Sequence, residues 1–172
     1  MKGVNMWESL NSKFSKYPAR MAVAKKMIEL GLRVSPDKKI YCGDLKISDS
    51  ALAIAADVDR RVIKSTVNVI VNDDELLEVF SNILPAGTLL KNIAKNLGLG
   101  VVEIEAGEDS KGVLAASALL ISEHNIDIRQ AYAGDTQLQD NPVLTIITEI
   151  PIPGDLINEF LKIKGVLKVS VL

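Results

Sequence analysis

At Gly98 the hydrophobic period of this chain changes, and that change limits the possible folds more than any other feature. Before it, apolar residues recur every three or four positions, as on helices. After it, Val102, Ile104 and Ala106 alternate with Glu103 and Glu105, as on a strand with one buried face. The 172 residues suit one medium domain or two small ones, and the change of period favours two: a helical part, residues 1–97, and a mixed part, residues 98–172.

In the second part a loop from Gly107 leads into a helical stretch carrying Val113, Leu114, Ala116, Ser117, Leu120 and Ile121. After Asn125, Ile126, Ile128, Gln130 and Tyr132 alternate with more polar or smaller neighbours. The β-branched run Val143 to Ile150 reads as a strand. Pro153-Gly154-Asp155 opens a helix whose Leu156, Ile157, Phe160 and Leu161 face a core, and Gly165 closes it. Val166 to Leu172 is the last strand, with Leu167, Val169 and Val171 on one side. That order is strand-helix-strand-strand-helix-strand. The crossover rule makes it a ferredoxin-like sandwich, an antiparallel sheet with both helices on one face. The chain is therefore expected to be α+β.

In the first part, Pro18 starts a helix whose Ala19, Val23, Met27 and Leu30 share a face, and Gly31 ends it as a left-handed cap. Trp7, Phe14 and Tyr17 are spaced as core anchors. Residues 39–47 form a hairpin around Gly43-Asp44. Ser48 or Asp49 caps a helix through Ala56, Asp59 caps a second from Arg60 to about Ile70, and further helices follow at Asp73–Ser81 and Thr88–Leu97.

The stretch from Ala53 to Val67 resembles the helix-turn-helix of bacterial and archaeal regulators. Two short helices cross steeply only if the turn accepts a left-handed residue, and Asp57 occupies that place. Val58 plugs the space between them. Val62, Ile63, Thr66, Val69 and Ile70 face inward, which leaves Arg61, Lys64, Ser65 and Asn68, with Arg60 ahead of them, on the outer face. Such side chains hold phosphate oxygens and read base edges, so double-stranded DNA is a candidate partner. They also make an ordinary solvated helix surface, and Asp57 and Asp59 would repel phosphate.

Asp109-x-x-Gly112-Val113-Leu114, followed by Ser122 through Ile128, resembles an ACT domain, the amino-acid-sensing regulatory module. The whole chain is similar to an archaeal family of regulators of amino acid metabolism with an N-terminal helix-turn-helix region and a C-terminal ACT domain. Asp59-Arg-Arg-Val-Ile, Ile128-Arg-Gln, Asn141-Pro and the run from Ile146 to Gly154 carry this closer match. The resemblance implies a free amino acid as effector, held by the Gly112 loop and by the start of the second strand of a neighbouring subunit. By position the latter brings in Asn125, Ile126 and Asp127.

Elementary chemistry supports the loop. Amide groups at a helix start are unpaired and suit a carboxylate, and Gly112 removes a side chain that would block approach. Asp109 is placed either to take the ammonium or to cap the helix. Lys111 stands where proline often precedes the loop glycine, either reaching the ligand carboxylate or pointing to solvent. Gly112 and Asp109 also serve as a plain tight turn and cap. His124 suits the negative end of its helix, and Arg129 and Gln130 are candidates for a subunit or interdomain contact.

Lone Cys42 and lone His124 disfavour disulfides, the usual zinc sites and most nucleophilic triads, and no phosphate-loop or dinucleotide fingerprint is present. We therefore expect a regulator rather than an enzyme, without cofactor or metal. The apolar runs are too short to cross a bilayer, and the first residues do not read as a secretory signal, so a cytoplasmic location is expected. Residues 1–97 hold 15 Lys or Arg against 11 Asp or Glu, and the remainder 5 against 11, so the halves suit partners of different type. Exposed sheet edges and a palindromic operator both favour a homodimer. The competing reading is an adaptor whose helical half docks on a metabolic enzyme.

Overall fold

A computed structural model describes residues 6–107, 111–135, 138–139 and 141–172. The chain forms two compact units, Met1–Gly87 and Thr88–Leu172, so the division falls ten residues before the change of hydrophobic period. The whole is mixed α and β, with two antiparallel sheets.

The first unit runs α1 (Met6–Phe14), α2 (Pro18–Glu29), β1 (Leu32–Val34), β2 (Ile40–Cys42), β3 (Leu45–Ile47), α3 (Asp49–Ala55), α4 (Arg60–Val71) and α5 (Asp74–Ser81). Three of these helices begin on side-chain caps that the residue types anticipated. Ser48 accepts the Ala51 amide at 3.1 Å, Asp59 that of Arg61 at 2.7 Å, and Asp73 that of Leu76 at 3.2 Å. Phe14, Met27, Ile40, Leu52, Ile63, Ile70 and Phe80 meet in one core. Ser9 donates to Glu75 at 2.9 Å and Lys13 pairs with Asp73, tying α1 to α5.

Several expectations change here. β1 adds a third strand to the hairpin, so this unit is not purely helical. α2 buries Val23, Ala24 and Met27 while Ala19 and Leu30 are exposed, because α1 and α4 cover a face rotated toward Ala24. Phe14 is fully buried and Trp7 half-buried, but Tyr17 is half exposed, with the Arg20 guanidinium 4.5 Å over its ring. Gly31 does cap α2, at φ +65°. It also leaves room for Pro85, whose Cα would lie 2.5 Å from a β-carbon there.

The second unit holds a 3-10 helix (Lys91–Leu97), β4 (Gly100–Ala106), α6 (Val113–Glu123), β5 (Ile128–Ala133), β6 (Val143–Thr148), α7 (Leu156–Phe160) and β7 (Val166–Val171). The sheet order is β5-β6-β4-β7, antiparallel throughout. Val102, Ile104, Leu144 and Ile146 turn one face of the sheet toward Val113 and Ile121 of α6 and Leu156 and Phe160 of α7. Burying each such side chain contributes about 1.5–3 kcal/mol.

The opposite face is covered at Val101 and Ile147 by Ala94 and Leu99. This explains why Thr88–Leu97 is not the α-helix its spacing suggests. Gln130 accepts the Leu90 amide and donates to the Thr88 carbonyl, both at 2.9 Å, and Lys91 pairs with Glu103 at 2.6 Å. Contacts with the sheet override helix propensity there. Leu167, expected beside Val169 and Val171, is instead 70% exposed. Glu105 pairs with Lys168 but Ala106 with Val166, so Leu167 is the extra residue of a bulge and turns outward.

Candidate functional site

The turn between α3 and α4 has the backbone its sequence requires. Asp57 adopts φ +51°, the Val58 amide reaches back to the Ala53 carbonyl at 3.0 Å, and Val58 packs against the core. On α4, Ile63, Thr66, Val67 and Ile70 are buried, Val67 taking the place anticipated for the half-buried Val62 and Val69. Arg60, Arg61, Lys64 and Asn68 are exposed. Ser65 is half-buried and donates to the Val62 carbonyl at 3.0 Å, which withdraws it from the outer face.

Arg61 has a competitor at close range. Its Nε lies 3.2 Å from the Asp59 carboxylate although its side chain is 92% exposed. The Arg61 amide first, then the Arg61 guanidinium, hold the Asp59 carboxyl below its ordinary value, so Asp59 stays charged at neutral pH beside any incoming phosphate. Arg60 turns to a different place. With Lys38, Lys39 and Lys46 of the hairpin segment it lines a cavity of about 320 Å³.

In the second unit Gly112 stands at the head of α6 with φ +86°, and a β-carbon built on it would meet none of the described residues within 4 Å. The left-handed backbone is therefore what requires glycine, since no described side chain crowds the position. Lys111 is exposed, Val113 is buried beneath the helix start, and Leu114 is 48% exposed. Asp109 lies outside the described residues. Beside this turn is a cavity of about 250 Å³ that Val113 and Leu114 share with Ala106, Gly107, Ala133 and Val143. Its described lining has no ionisable side chain, so an apolar group fits it. The amides of the first helical turn, the positive end of α6, suit an anion beside it.

Asn125, Ile126 and Asp127 are not brought to this cavity within one chain. Ala133 pairs with Leu144 at the Gly112 end of the sheet, whereas Ile128 pairs with Thr148 at the other. Six residues of strand put the two ends about 20 Å apart. Asn125 ends α6 in the left-handed conformation, φ +55°. Ile126 is buried in the core, and the Asp127 carbonyl accepts the Glu149 amide at 2.9 Å. His124 closes α6, its Nδ1 2.9 Å from the Leu120 carbonyl.

The sequence marks Gly134 to Pro142 only as a polar loop, yet Ala133, Gly134, Pro142 and Val143 help wall the cavity. The one signal for them was Asn141-Pro142, which marks a break without saying where it packs. Among the described residues no group of three or more His, Cys, Asp or Glu could hold a metal ion. No described helix is long and apolar enough to cross a membrane.

No known family profile matches the chain, and no curated protein matches it. Among solved structures, a crystal structure of MtbAldR is 14% identical, covers 88% of this chain and 90% of its own, and superposes with a TM-score of 0.26. At that score the likeness carries no weight.

Proposed function

We propose that the chain is an amino-acid-responsive regulator, with the second unit as an ACT domain of ferredoxin-like arrangement and α3–α4 as a helix-turn-helix. The observation that carries this reading is the apolar cavity beside the open head of α6. An amino acid would place its carboxylate on the amides after Gly112 and its side chain among Val113, Leu114, Ala133 and Val143. An ammonium partner would come from Asp109 or, in a homodimer, from Asp127 of a second copy. Binding would favour one arrangement of the helical units, and only a difference in affinity between arrangements transmits the signal. The regulator works in the cytoplasm and is not an enzyme.

A thermal-shift screen of the full chain against the common amino acids tests the sensing half. An apolar amino acid at a hundred times its Kd raises stability by about 2.7 kcal/mol, or roughly 10–20 °C for a unit of this size. No response to any of them at millimolar concentration refutes sensing. For the helical half, fluorescence anisotropy on duplex DNA is expected to show salt-sensitive binding, with Arg61→Ala lowering the salt slope by about one.

The Asp59–Arg61 pair favours a second reading for that half. A cation already engaged by a carboxylate is a weaker phosphate ligand, and a mixed-charge helix face suits a protein surface. On this reading the first unit docks on a metabolic enzyme. Absence of DNA binding at low salt, with an intact amino-acid response, selects it.

A further inference from the structure

The cavity beside the hairpin belongs to neither site above. Lys38 and Lys39 come from the turn between β1 and β2, Lys46 from β3, Arg60 from the start of α4, and Ser48, Asp49 and Ser50 from the start of α3. The sequence places these cations up to 22 positions apart, and the three-stranded sheet gathers them. The turn that presents Lys38 is well held. Lys38 sits at φ +62°, its amide reaches the Ser35 carbonyl at 2.9 Å, and the Ser35 amide reaches the Lys39 carbonyl at 2.9 Å.

Charge selects the ligand. Lys39 is engaged by Asp37, and the pairing holds the Asp37 carboxyl below its ordinary value. Lys38, Lys46 and Arg60 have no anionic partner among the described residues. Asp49 is the one carboxylate in the lining. Three unengaged cations against one anion leave an excess that a phosphate dianion would balance. The Ser48 oxygen already accepts the Ala51 amide, so its hydroxyl hydrogen is free to be donated into the cavity, and Ser50 supplies a second hydroxyl. Cationic and hydroxyl donors converging on a concave site are what phosphate oxygens require, and an uncharged or cationic ligand would leave them unpaired.

We propose that this cavity is a phosphate-binding site, with Lys38, Lys46 and Arg60 as charge ligands and Ser48 as hydroxyl donor. The phosphate comes either from a phosphorylated small molecule or from a nucleic-acid backbone. The site does not depend on amino-acid sensing, and it moves Arg60 from the α4 face to the hairpin.

The test is a titration of the full chain with pyrophosphate, followed by calorimetry and by amide chemical shifts. We expect saturable binding, competition by inorganic phosphate, and shifts centred on Lys38, Lys46 and Ser48. Lys38→Asn with Lys46→Gln should weaken it about tenfold or more, the loss of two charge-assisted contacts. Asparagine tolerates the left-handed backbone at position 38, and an unchanged melting curve verifies folding. Lys25→Gln, an exposed lysine of α2 away from the cavity, should leave binding intact. No saturable binding, or an equal loss in Lys25→Gln, overturns the proposal. A short mixed-sequence duplex separates the sources. Loss of duplex affinity in the double variant identifies a backbone phosphate; unchanged duplex binding, or none even in the parent, identifies a small molecule. The last outcome also refutes DNA binding while leaving the phosphate site standing.

Discussion

Replacing Gly112 with alanine separates what the turn before α6 does for the fold from what it does for a ligand. At φ +86° an alanine pays the left-handed penalty, about 1–2 kcal/mol. No packing penalty from the described residues adds to it, since a β-carbon there meets none of them within 4 Å. For a unit of some 85 residues this lowers the melting temperature by roughly 4–16 °C. The same methyl group would sit one residue before Val113, which lines the cavity, and at the first amides of α6, where the proposed carboxylate rests. The amino-acid-dependent rise in melting temperature should therefore fall to a small fraction of that in the parent. Gly43→Ala is the matched control: also left-handed at φ +55°, also with open space, but in the first unit. It should cost a similar amount and leave the ligand response whole. Differential scanning fluorimetry of the three proteins, with and without amino acid, reads both quantities. A loss above about 3 kcal/mol would mean that the bend is filled by the chain's own atoms. An undiminished ligand response in the alanine variant would mean that the effector is not held at the head of α6. Either result refutes the reasoning.

Two further outcomes concern the first unit. Gly31→Ala shares the left-handed penalty but also drives a β-carbon to 2.5 Å from Pro85 Cα and 2.9 Å from Pro85 N, so it should cost about 2–5 kcal/mol, visible in urea melts followed through Trp7, the chain's only tryptophan. At Asp73, the Lys13 ammonium and, more weakly, the Leu76 amide hold the carboxyl below its ordinary 3.8. Its folded value is thus depressed, so the stability it adds is complete above about pH 4–5 and is lost as pH falls through the folded value. Asp73→Asn keeps a helix cap but not the ion pair, so its deficit in chemical denaturation should vanish at the acid end, whereas Asp73→Ala adds a pH-independent loss of about 1 kcal/mol.

Much of this molecule was legible in its sequence because the signals are local. The caps Ser48, Asp59 and Asp73 each act on an amide two or three residues away, and the left-handed turns at Asp57, Gly31 and Gly98 follow from residue type and helix-ending context. The strand–helix order of residues 100–171 was readable for the same reason, since periods of two and of three to four belong to single segments.

What required the tertiary structure is whatever depends on a distant partner. Nothing in residues 88–97 announces that Gln130 will clamp them, and their spacing alone argues for a helix that does not form. Likewise Leu167 keeps the alternation of a buried strand residue until a bulge turns it outward, and Tyr17 looks like a core anchor although it is half exposed. The gathering of Lys38, Lys46 and Arg60 around one cavity was equally hidden, because it depends on the sheet bringing the hairpin beside α4. Local chemistry determined where most helices of the first unit start and turn. Packing between elements decided which faces are buried, where the chain divides, and which charges end as neighbours, because those energies arise only between residues that the sequence leaves far apart.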